Sequence, residues 1–407
     1  VAKPGIRSTP WPQRSLYAWM DTVRLDDAAV GPAYLRHRRA VLSQFDNADA
    51  VVVIDGDPGG YPGAPIAEYL RILKADRETM RGKLVIPWLW SGWGRDHTKG
   101  GFWNEPVAPY TAAVLEALKA ERGKPWEIMP GRSHREGWAN GRTNIELAEK
   151  AGVIGQSTFM CYEAIEFEPT PPAAVLQFDL IRKSLAEEGR FAAVARGVFG
   201  NAQQPVMVLP NLYYFARSSA DLSYLNKPEA EVLADFAREL GGDPAVLVPA
   251  WSCLKLPLHQ LPADLADKVR VLKLDGALTR EIPGGPARYV EILAAQVESQ
   301  RELLKAVAVK PRSADEAADS LATGAAALIK WWQVHRYVAA GVSGDPFEWR
   351  FLHRIQTTPL KQHARLCAAF GPQVVALAAE KLHERGLLSK EDARKRLAEL
   401  AGVKKGT

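Results

Sequence analysis

Three glutamates, Glu163, Glu166 and Glu168, stand in CYEAIEFEPTPP, directly after an apolar run that closes at Tyr162. In an extended chain Glu166 and Glu168 face one way and Glu163 the other. One carboxyl can therefore turn toward the mouth of a fold while another binds an arginine or a loop amide. A second acidic set, Asp55 and Asp57, closes the apolar run over 51–54 and opens the turn Asp-Pro-Gly-Gly, where Asp57 can equally cap backbone N–H groups. Two carboxylates in different surroundings, one with a raised pKa and one ordinary, are the apparatus for cleaving a glycosidic bond. Glu163 is the expected proton donor, and Asp57 or Glu166 the expected partner carboxylate.

The residues around these acids suit a hydroxyl-rich substrate. Asn201, Gln203 and Asn211 supply paired donors and acceptors, and Tyr162 and Tyr213 add flat faces of the kind that stack on the apolar side of a pyranose. Of the 12 tryptophans, Trp88, Trp90 and Trp93 fall in VIPWLWSGW beside glycine and serine, which favours a pocket lining there over a plain core. Asp55, His134 and Arg135 complete the expected hydroxyl-binding set. Arg132 and Arg135 can also grip a carboxylate or sulfate. The histidines show neither His-x-His nor His-x-x-x-His, so no metal site and no cofactor are expected. Serine-hydrolase, dinucleotide and P-loop signatures are absent as well.

Positioning these side chains requires strands that run out beside one another. The stretch VVVIDGDPGGYPG passes from a β-branched run into a turn, and a helical pattern with Ile66, Tyr69, Leu70 and Leu73 on one face follows it. Similar strand, loop and helix units recur: a strand over 84–90, a helix in YTAAVLEALKAER, strands over 126–129 and 153–162, and a helix in LQFDLIRKSLAEEG. A strand in FAAVARGVFG and a last one in AVLVPAW complete the series. This alternation predicts a (β/α)8-type (TIM-like) barrel, complete or short of a strand, over residues 15–256, behind an extended arm over 1–14. From 257 to 407 the pattern turns Ala- and Leu-rich with helical period, which predicts a helical domain.

Charge and composition narrow the partners. The 407 residues, 47% of them hydrophobic, suffice for a large core plus a second domain. The net charge of +5 is spread through mixed-sign segments such as KADRETMRGK, which reads as solvated helix faces and argues against nucleic acid. No apolar run reaches a membrane span, and homo-oligomerisation stays open. The first residues lack the hydrophobic stretch of a secretory signal, and a first residue other than Met leaves room for a removed signal or tag; no compartment is fixed, with periplasmic or secreted slightly favoured.

The acids after IDGDPGG and CYEAIEFE, the tryptophans after VIPWLWSGW and the turn GNAQQ together resemble the broad superfamily of (β/α) barrel glycoside hydrolases. The barrel followed by helices is similar to some bacterial hexosaminidases, although their paired acidic signature on one strand end is not visible here. The resemblance implies a glycoside hydrolase acting on an oligo- or polysaccharide. Two other classes fit the same residues. One is a non-catalytic carbohydrate-binding protein; the other is a lyase for acidic glycans with His134 or a tyrosine as base.

Overall fold

The computed structural model describes residues 6–7, 22–53, 64–89, 112–113, 115–117, 129–132, 149–152, 158–161, 176–179, 181–183, 185–186, 197–200, 206, 208–255, 258–335 and 353–402. The chain forms two compact units interleaved in sequence. The first takes Val1–Glu163 and Lys183–Asn201, and the second takes Ala164–Arg182 and Ala202–Thr407. Residues 202–256 thus lie in the second unit.

The first unit is built on a parallel sheet. Its strands are β3 (Ala50–Val53), β4 (Leu84–Leu89), β5 (Met129–Arg132), β6 (Thr158–Cys161) and β7 (Gly197–Gly200), and they lie side by side in chain order. Ahead of them β1 (Ile6–Arg7), within the expected arm, pairs antiparallel with β2 (Thr22–Val23) as a separate two-stranded ribbon. Helix α1 (Val30–Leu42) starts where the Asp27 carboxylate accepts the N–H groups of Ala29 and Val30. Gly31 is required there, because a Cβ would lie 2.5 Å from the Leu25 carbonyl oxygen. Helix α2 (Ile66–Thr79) presents Tyr69, Ile72 and Leu73 to a core that also holds Leu25, Leu42, Val53 and Val85. These three side chains have no exposed surface, and burying each contributes about 1.5–3 kcal/mol. One ion pair ties the two helices together: the Arg38 guanidinium grips Asp76 through two bonds of 2.6 and 2.7 Å.

The second unit is helical throughout its described residues. Its helices are α3 (Leu209–Ala220), α4 (Glu229–Glu239), α5 (Pro244–Trp251), α6 (Leu265–Arg270), α7 (Pro286–Ala308), α8 (Ala314–His335), α9 (His353–Ala368), α10 (Gln373–Glu384) and α11 (Lys390–Ala401). Alanines 317, 318, 322 and 325 line the buried side of α8. Gly324 lets α9 approach, since a Cβ would meet the Leu360 side chain at 2.8 Å. An aromatic ladder runs through the unit: Tyr213 stacks on Phe236 at 4.7 Å, and Phe236 stacks on Trp251 at 5.0 Å. The Trp251 indole N–H then donates to the Tyr289 hydroxyl at 2.6 Å.

Two expectations are corrected here. The described residues do not form an eight-stranded barrel, because the parallel strands number five, no ladder joins β7 back to β3, and every described element from Leu209 onward is helical. The likeness to barrel glycoside hydrolases loses its architectural basis with it. The second correction is AVLVPAW, which is the helix α5 and not a strand. A short apolar run does not separate a buried strand from a buried helix by period. The deciding signal is local: the Asp243 carboxylate accepts the Ala245 N–H at 2.8 Å, and Pro244 sits at the first helical position.

Candidate functional site

In the first unit all five parallel strands end at one edge, the edge outside which open α/β sheets bind ligands. The registers define that edge. Val53 pairs with Pro87, Leu89 with Pro130, Arg132 with Cys161, and Cys161 with Gly200. Arg132, Cys161 and Gly200 therefore share the last rung across three strands. Trp88, one of the expected aromatic residues, lies on β4. The other expected residues of this unit follow the strand ends in sequence. Asp55 and Asp57 come two and four positions after Val53, and Trp90 and Trp93 one and four after Leu89. His134 and Arg135 come two and three after Arg132, Tyr162 and Glu163 one and two after Cys161, and Asn201 one after Gly200. All of these followers lie outside the described residues, as do Glu166 and Gln203, whose positions fall in the second unit.

Two expected residues are described in full, and both belong to α3. Asn211 is buried, and its side-chain oxygen accepts the Gln177 N–H at 3.0 Å, tying residue 177 to α3. Tyr213 is buried beside Phe236, and its hydroxyl donates to Glu239 at 2.8 Å. The Tyr224 hydroxyl lies 3.5 Å from that of Tyr213 and donates to Asp235 at 3.2 Å. The Arg217 guanidinium sits 5.8 Å from the centre of each ring, and Lys227 pairs with Asp235. Burial, then the bonds to Tyr224 and Glu239, push the Tyr213 phenol far up, so it remains a proton donor. This network joins α3 to α4 and holds the Tyr213 hydroxyl against Glu239, while Asn211 is buried on its own bond to Gln177.

One cluster with chemical character was not legible beforehand. Ser320 of α8 places its Oγ 2.8 Å from the Nε2 of His363 on α9, and the thiol of Cys367 lies 3.3 Å from the same nitrogen. All three side chains are buried. Burial lowers the His363 pKa, so the ring is neutral at pH 7. Burial also raises the Cys367 thiol, an effect that its contact with Ser320 partly offsets. The spacing His363-x-x-x-Cys367 on one helical face was the available signal. Ser320, 43 positions earlier, had no local link to it.

Among the described residues no group of three or more His, Cys, Asp or Glu side chains is placed to hold a metal ion, and no helix is long and apolar enough to cross a membrane. No family model, curated protein or solved structure matches the chain.

Proposed function

We propose that the chain is a carbohydrate-active enzyme that cleaves a glycosidic bond with two carboxylates at the carboxyl edge of its parallel sheet. The observation that carries the reading is the common direction of the strands: each runs out within a few positions of an acidic, amide or aromatic residue. Chain connectivity alone keeps the Cα atoms of Asp55 and Glu163 within about 7 Å of the last strand residues before them.

Sheet spacing decides which acids can work together. Strands β3 and β6 stand three places apart, which is about 14 Å at the usual separation of neighbouring strands. Carboxylates held at the strand ends themselves are too far apart for either hydrolytic geometry, which needs about 5–9.5 Å. Asp57, four residues beyond β3, has twice the chain length of Asp55 with which to close that gap. Glu163 is the proton donor in this reading and Asp57 the partner carboxylate, while Asp55 and Asn201 bind hydroxyls beside Trp90.

A panel of aryl glycosides and natural oligo- and polysaccharides tests the reading. Cleavage of at least one substrate is expected, and Glu163→Gln and Asp57→Asn are each expected to lower turnover by about 10²–10⁴ with an unchanged circular dichroism spectrum. Full activity in both variants, or a panel with no cleaved member, removes it.

A further inference from the structure

We propose that Ser320 is a nucleophile, with His363 as its base, that accepts small acyl groups from esters at the wall of a groove between α7 and α8. This site lies within the second unit and is independent of the carbohydrate reading. The groove has a volume of about 330 Å³, and Lys305, Ala306, Val309, Asp319, Ser320 and Thr323 line it. That size admits an acyl chain of a few carbons, with Ala306 and Val309 as its apolar wall.

The geometry of the pair is that of an activated hydroxyl. The 2.8 Å between Ser320 Oγ and His363 Nε2 lies within the reach that a nucleophile and its base require. The ring is 2% exposed, so water does not compete for its Nε2 lone pair. Ser320 has a second acceptor, the Ala317 carbonyl oxygen at 3.1 Å, and rotation of the hydroxyl from that oxygen to Nε2 arms it. Cys367 is the other hydrogen-bearing neighbour of Nε2, but its thiol is fully buried and is not part of the groove wall. The charged residues lining the groove are Glu302 and Lys305 of α7, which pair at 3.1 Å, and Glu316 and Asp319 of α8; behind them Arg312 pairs with Glu316 at 3.4 Å, Lys381 of α10 pairs with Asp319 at 2.8 Å, and Arg385 donates to the Thr323 hydroxyl at 3.4 Å. The hydrogen-bond partners of the imidazole itself are Ser320 and Cys367, both uncharged.

In the reaction Ser320 Oγ attacks the ester carbonyl carbon while its proton passes to Nε2. The carbonyl oxygen takes up the developing negative charge; Thr323 and Lys305 line the same groove, the Thr323 hydroxyl accepting from Arg385 at 3.4 Å and the Lys305 ammonium paired with Glu302. The bond to the alkoxide then breaks, and the proton moves from Nε2 to the departing alcohol, leaving an acyl ester on Ser320.

The test uses the full chain with p-nitrophenyl acetate, following nitrophenol release by absorbance and locating the acetyl group by mass spectrometry of peptides. The folded protein is expected to carry acetyl on Ser320, and the rate is expected to rise with pH through a midpoint below the ordinary imidazole value. Ser320→Ala removes the adduct. His363→Gln slows acetylation about 100-fold and flattens the pH profile, whereas Cys367→Ala retains both the adduct and the profile. The urea-unfolded chain serves as control and is expected to leave Ser320 unmodified. Absence of acetyl on Ser320 in the folded wild type overturns the proposal, as does a rate independent of pH across the imidazole range. The wild-type profile decides even where a His363 variant does not fold.

Discussion

The two units place their polar residues in opposite ways. In the first, short parallel strands of four to six residues hold the fold, and the acids, amides and indoles of interest come just after the strands end. In the second, Asn211, Tyr213, Ser320 and His363 sit inside helices; Asn211 bonds to backbone, Tyr213 to the Glu239 carboxylate, and Ser320 and His363 to each other. A parallel ladder satisfies its own backbone and releases the chain at one common edge. A helix bundle does the reverse, because a polar side chain on its inner face has to find a partner there. The comparison teaches that equal residue types carry different duties. An amide within a buried helix face, such as Asn211, holds the fold through the Gln177 N–H.

The comparison predicts its largest effect at Trp251. The indole has no exposed surface, stacks on Phe236 and supplies the hydrogen bond to the buried Tyr289 hydroxyl. Trp251→Ala is expected to cost about 3–5 kcal/mol in urea unfolding followed by circular dichroism. Trp251→Phe keeps the stack and isolates the loss of the hydrogen bond, at about 1–2 kcal/mol. A Trp251→Ala chain as stable as wild type would mean that the aromatic ladder is not what holds the helices together.

A somewhat smaller effect is expected in the first unit, where one polar pair does lie inside. Asp76 is 1% exposed at its side chain and Arg38 16%. Burial pushes the Asp76 carboxyl up, and the guanidinium fork pulls it back. Removing one member of a buried pair costs about 3–5 kcal/mol, because the remaining charge stays desolvated. Partial exposure of Arg38 puts Arg38→Met at the low end, about 3 kcal/mol. The double variant Arg38→Met with Asp76→Leu is expected to recover most of that loss. Equal destabilisation by the single and double variants would show that packing of the arginine stem, and not the uncompensated carboxylate, dominates.

The strands Ala50–Val53 and Leu84–Leu89 and the helix Ile66–Thr79 were legible from local signals, whereas the strand expected over 126–129 is Met129–Arg132, three residues later. The run over 51–53 is β-branched and ends at Asp-Pro-Gly-Gly, and the strand Leu84–Leu89 ends before a glycine-rich stretch. Period and punctuation give such elements to within a residue or two. AVLVPAW was harder, since an apolar run of that length carries no period, and Asp243-Pro244 had to outweigh it. Closure of a sheet is not a local property at all. Whether a strand pairs back to the first depends on what the following residues do, and here they turn to helices from Leu209 onward. The same distance problem hid Ser320 from His363. It also hid Glu239 from Tyr213, 26 positions apart, and so an inward-facing tyrosine read as a sugar platform.

Tyr213 is therefore where the contrast between the units can be tested most sharply, through the smallest effect. Tyr213→Phe removes only the hydroxyl that donates to Glu239 and preserves the ring stacked on Phe236 at 4.7 Å. A hydrogen bond to a carboxylate can contribute about 1.5–3 kcal/mol. Glu239, however, is 36% exposed at its side chain and keeps Arg217 at 3.4 Å, so solvent and that guanidinium replace much of what is lost. The expected cost is about 1 kcal/mol in unfolding free energy, with kcat/KM on any glycan that the protein cleaves left unchanged. A tenfold fall in kcat/KM at unaltered stability would mean that the phenol reaches substrate. The helical unit would then share the duty assigned here to the strand ends, and the division between the two regions would not hold.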